Sequence, residues 1–96
     1  MNAAEFRAMP APPEGASAPL AALWHAAHDE WDKAHALVQD DESAAAAWVH
    51  AHLHRLEGDL DNAGYWYSRA GKTYVGLETD EEWRQIADAA LLEGGW

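Results

Sequence analysis

Apolar residues recur at three- and four-residue spacing through most of this chain, and no segment alternates apolar with polar over a useful length. A side chain returns to the same face of a helix about every 3.6 residues, and to the same face of a strand every two. The pattern therefore calls for helices, and the expected class is all-α, a compact bundle of about four. Leu20, Leu23, Trp24, Ala27, Trp31, Ala34, His35 and Val38 keep helical phase, and no Gly, Pro or Asn interrupts residues 20–39. One helix over about 18–39 is the simplest reading. Ser17 would cap it, and Pro19 falls in the first turn, where a missing N–H costs nothing. The run Asp40-Asp41-Glu42 ends it, because like charges crowd at the negative pole of the helix dipole.

Ser43 caps a second helix, about 44–57, with Val49, Leu53 and Leu56 as its apolar stripe. Ala44, Ala47 and Ala51 form a small-residue stripe that permits close helix approach. Gly58 supplies a left-handed stop. Asp59 caps a third helix, about 60–70, in which Leu60, Ala63, Tyr67 and Ala70 share a face, and Gly71 ends it. Thr79 and Glu82 have capping-box spacing before a last helix, about 80–92, whose apolar face is Trp83, Ile86, Ala87, Ala90 and Leu91. Residues 1–16 hold Pro10, Pro12 and Pro13 and read as a disordered tail, leaving 17–96 as a single helical domain.

Ninety-six residues make one domain, with a thin margin of stability and no room for a separate cofactor domain. The net charge of -11, from 17 acidic and 6 basic residues, opposes binding to phosphate backbones or anionic membranes. No nucleic-acid or membrane partner is expected. With no Cys there is no disulfide, thiolate nucleophile or sulfur-ligated metal. The first residues do not resemble a signal peptide, and no stretch approaches the roughly 20 apolar residues that span a bilayer. A cytoplasmic location is expected. Six Trp are more aromatic surface than so small a core readily hides. They point to an exposed patch, around Trp48, Trp66 and Trp83, serving a protein or peptide partner or a homodimer.

The segment Glu57 to Gly71, EGDLDNAGYWYSRAG, resembles the turn and second helix of a tetratricopeptide repeat. Gly58, Ala63, Tyr67 and Ala70 stand where that family places its turning Gly, its Ala, its aromatic and its second Ala. The resemblance covers about residues 44–71. Where the family's first helix has Leu, Gly and Tyr, this chain has His50, Ala51 and His54. A shift of 29 residues superposes Asp29–Ala34 on Gly58–Ala63, which would instead break the first helix into a second hairpin turning near Asp29. The resemblance implies a small protein–protein interaction module without catalytic activity or cofactor.

The histidines are the chemical feature that stands apart. On a continuous first helix His25, His28, Asp32 and His35 fall on one face, and on the second helix so do His50, His54 and Glu57. Facing helices with inward His and carboxylate are how bundles assemble metal sites. The alternative function is therefore a transition-metal or small-ligand site built from His28, Asp32, His50 and His54, since imidazole with carboxylate suits Zn, Fe, Ni or Cu. His25, His28, His50, His54, Arg55, Tyr65, Trp66 and Arg69 are the candidates for contacting a ligand or partner. The spacing matches neither His-Glu-x-x-His nor the paired Glu-x-x-His of di-iron bundles. The hydroxyls nearest the histidines, Ser43 and Ser68, have cap or helix-surface roles, and no Gly-rich phosphate loop opens a helix. An enzyme is not the expected outcome.

Overall fold

The computed structural model describes all 96 residues and contains helices without strands. In chain order they are α1 (Ala3–Ala8), α2 (Ala18–Ala27), α3 (Trp31–Val38), α4 (Ala44–Leu56), α5 (Leu60–Ala70) and α6 (Thr79–Leu92). The all-α expectation holds. The count rises from four to six because the first helix is divided and the N-terminal segment folds.

The division falls at Asp29, whose φ of 58° puts it in the left-handed region. Glu30 N–H bonds back to the His25 carbonyl at 3.0 Å, the bond that closes a Schellman-type helix end. Gly58 does the same 29 residues later, with φ of 84° and Asp59 N–H bonded to the His54 carbonyl at 2.9 Å. The chain thus forms two successive hairpins, α2–α3 and α4–α5. Asp is one of the few residues other than Gly that tolerates this conformation, at a cost of about 1 kcal/mol. The expected continuous helix over 18–39 is therefore incorrect: unbroken hydrophobic phase cannot reveal a turn that lacks glycine.

Residues 1–16 differ likewise from the expected tail. Asn2 and Glu5 form a reciprocal capping box at the start of α1. Phe6 is 0% exposed and stacks on Trp83 at 6.0 Å between ring centres. Six residues make no stable helix alone, so α1 owes its existence to this docking. The Trp24 indole N–H, donating to the Met9 carbonyl at 3.1 Å, fixes where the segment leaves the core.

Caps elsewhere follow the sequence. Ser17, Ser43 and Asp59 accept from the backbone N–H three residues on, at 3.3, 3.1 and 3.2 Å. The capping box expected at Thr79 and Glu82 is absent: Glu78 takes the N-cap position, and the Glu82 side chain is buried instead. The core runs through all six helices, with Leu23, Val38, Val49, Leu53 and Ile86 fully enclosed, in a body of 32 × 26 × 24 Å.

The tryptophans do not form the expected exposed patch. Trp24, Trp48 and Trp83 are buried, and Trp31, Trp66 and Trp96 are partly so. A buried indole needs a partner for its N–H. Trp24, Trp31 and Trp83 find theirs on the backbone carbonyls of Met9, Leu53 and Leu23, each in a different element. No helix is long and apolar enough to cross a membrane.

Candidate metal centre

His50 and His54 stand one turn apart on α4, and the α2–α3 turn brings His35 of α3 against them. One ring nitrogen from each of the three lies within 4.8 Å of the others. The His50 and His54 rings are 4.8 Å apart, and His35 sits nearly perpendicular to His50 at 4.7 Å. Each outer ring is backed by an indole. Trp66 stacks on His50 at 3.9 Å and Trp31 on His35 at 4.7 Å. Trp31 is held in turn by its N–H bond to the Leu53 carbonyl, at 2.6 Å.

Burial and hydrogen bonding give the three rings different characters. His50 is 3% exposed, and its Nδ1 is buried with no hydrogen-bond partner. His54 is 6% exposed, and its Nδ1 donates to the Glu57 carboxylate at 2.5 Å, leaving Nε2 as the free nitrogen. A carboxylate on one ring nitrogen is the usual way a metal-binding histidine has its tautomer and orientation set. Burial, and then the neighbouring His35 and His54, push His50 down from 6.5 to about 4. Burial first, then His54, also lowers His35, against opposing pulls from Glu57 and Asp32. Both rings are thus neutral at pH 7, the form that binds metal.

Both groups are harder to protonate folded than unfolded. The stability they contribute is fully present above about 6.5 and is lost as pH falls, at His50 toward about 4. At His50, lowered from 6.5 to about 4, the loss is on the order of 3 kcal/mol.

The residues singled out from sequence are only partly brought together. His50 and His54 meet, but His28 and Asp32 do not join them. The break at Asp29 turns α3 relative to α2, so the face that a continuous helix would share is split, and His35 takes the place expected for His28. His28 stacks on Trp24 at 3.9 Å and donates from Nε2 to the Arg7 carbonyl at 2.8 Å, which ties α1 down. His25 bonds Glu30 at 2.8 Å. Asp32 is exposed. Tyr65 is exposed, and its hydroxyl accepts from Arg69 at 3.1 Å, while the Arg69 guanidinium lies 5.5 Å from the centre of the Trp66 ring. Arg55 points inward: its guanidinium donates to the Leu77 carbonyl and lies 3.5 Å from Glu82.

That contact belongs to a second polar cluster. Glu82 accepts from His52 Nδ1 at 2.5 Å and from the Tyr67 hydroxyl, all three side chains being buried. Burial raises the Glu82 carboxyl, but the His52 and Tyr67 hydrogen bonds, with the charge of Arg55, outweigh it and hold Glu82 below 4.5. Nothing local in the sequence joins residues 30 positions apart. The 29-residue shift, by contrast, is a signal for the turn at Asp29 and hence for His35.

Fold and site together define a small helical domain of two hairpins with a three-histidine cluster between α3 and α4. No protein family matches the chain, and no curated protein or solved structure shows significant similarity to it.

Proposed function

We propose that this protein binds a divalent transition-metal ion, with zinc the best fit, through His35, His50 and His54. The observation that carries the reading is the buried Nδ1 of His50, which has no partner within the protein. A buried polar atom left unpaired costs roughly 1–3 kcal/mol, and a metal ligated by that nitrogen would remove the cost. Three imidazoles suit zinc, and a fourth position stays open, as in sites that take water or a small anion. Zinc at about 2.1 Å from each nitrogen sets the nitrogens roughly 3.4 Å apart, inside the 4.8 Å within which they lie here.

Purification without chelator, followed by elemental analysis and melting curves with Zn, Ni, Co and Fe(II), tests this. Metal at 100-fold over its dissociation constant is expected to add about 2.7 kcal/mol, which for a chain this size raises Tm by roughly 10–20 °C. The shift should shrink and vanish as pH falls toward about 4, where His50 protonates. His35→Ala, at the most exposed ring of the three, should abolish it with the fold intact. No bound metal and an unchanged Tm with all four ions at neutral pH would refute the assignment.

The interaction reading keeps one observation in its favour, located away from the tryptophans. Leu60, Tyr74 and Val75 are exposed, and Leu60 and Tyr74 line an apolar groove of about 100 Å³ with Ala63, Gly64 and Tyr67. A groove on the second helix of a hairpin that resembles a tetratricopeptide repeat offers a seat for a second copy of the chain. Light scattering over a concentration series is expected to show dimers that Leu60→Asp removes; a constant monomer mass would rule the homodimer out.

A further inference from the structure

The cleft between α1, α2, α4 and α6 has the chemistry of a cation site. It measures about 170 Å³, with Arg7, Asp29, His52, Asp80 and Trp83 among its walls. That is smaller than the roughly 300–1,000 Å³ of a drug-sized pocket and suits one head group. His52 is 1% exposed and points away from the metal centre, since residue 52 lies on the opposite side of α4 from His50 and His54. The Glu82 carboxylate holds a proton on its Nδ1. The His52 Nε2 bonds no protein atom, and the ring lines the cleft. Asp29 makes no ion pair, although the strained turn presents it at the cleft wall.

Two carboxylates and an indole face favour a cation that donates hydrogen bonds. The chain illustrates this itself. The Arg7 guanidinium lies 5.2 Å from the centre of the Trp83 ring and donates to Asp80 at 2.8 Å. Its side chain is 43% exposed, so the pair is a surface one and weakly held. The net charge of -11 draws cations to the surface in general. We infer that this cleft, lined also by His52, is a recognition site for a guanidinium or ammonium group, with Asp29, Asp80 and Trp83 as the recognising groups and Arg7 as an internal, displaceable occupant. The site is independent of the metal centre.

Titrating the full chain and its Arg7→Ala variant with agmatine, and separately with N-acetyl-arginine amide, tests the inference by NMR. Saturable shifts are expected at the Trp83 indole and the His52 ring. Binding should be about five-fold tighter in Arg7→Ala, the factor that corresponds to removing a competing surface ion pair of ~1 kcal/mol. Asp29→Asn combined with Asp80→Asn should abolish it. Preference for agmatine identifies a free amine as the ligand class, and preference for the amide identifies an arginine carried on a peptide. The inference is overturned if neither probe gives saturable shifts in Arg7→Ala, if Arg7→Ala binds no tighter, or if binding survives the double Asn substitution.

Discussion

Glu82→Ala is expected to cost about 3–5 kcal/mol, the range for removing one partner from a buried charged cluster. The loss would be a large fraction of the 5–15 kcal/mol that holds a typical domain together. Three buried donors depend on this one carboxylate: His52 Nδ1, the Tyr67 hydroxyl and, by charge, Arg55. One Arg55 guanidinium nitrogen, Nη1, already lacks a hydrogen-bond partner, so removing Glu82 leaves its charge unopposed. Glu82→Gln should cost less, about 1–2 kcal/mol, because the amide still accepts from Tyr67 and can donate to His52 in its other tautomer. Urea denaturation of both variants checks the order, and equal costs would mean that shape rather than charge matters there. Since Glu82 sits below 4.5 when folded, its contribution persists above that pH and disappears as pH falls through the lower folded value. Acid should therefore weaken the protein in two stages, first at His50 and then at Glu82.

Phe6→Ala is the second large effect, about 3 kcal/mol, toward the lower end for a buried aromatic because α1 lies at the edge of the core. The consequence is local as well as global. With Phe6 gone, α1 retains the Arg7–Asp80 pair, the His28 bond to the Arg7 carbonyl and the Trp24 bond to Met9. These polar contacts stabilise weakly without the apolar anchor. Amide exchange over residues 3–8 is expected to lose its protection while α4 and α5 keep theirs. Uniform loss of protection throughout the chain would show instead that α1 is part of one cooperative unit.

Helices α4 and α5 were legible in the sequence because hydrophobic period, capping residue and terminal glycine agreed at each, and α6 was legible from its hydrophobic period alone. Two features were illegible for distinct reasons. Asp29 carries a left-handed turn with no glycine to announce it, and only the offset against Gly58 hinted at the break. Phe6 lies in a proline-rich stretch whose order comes from contacts with Trp83, far along the chain, so no local propensity reports it. The site inherits both kinds of difficulty. His50 and His54 were evident from their spacing on α4. His35 rather than His28 completes the cluster because the break at Asp29 reorients α3. The pairing of His52 with Glu82 was hidden because Glu82 has the spacing of a capping residue but turns inward.

The three indole N–H bonds to backbone carbonyls also make the molecule a self-labelled one. Trp24 reports on α1 and its exit from the core, Trp31 on the contact of α3 with α4, and Trp83 on that of α6 with α2. Each donor proton is shielded only while its own pair of elements stays joined. The rates at which the three indole signals exchange with deuterated solvent would rank those junctions by how often they open. A ligand at the triad would slow the Trp31 proton selectively, whereas displacement of Arg7 would register at Trp83, so one spectrum would separate the two sites.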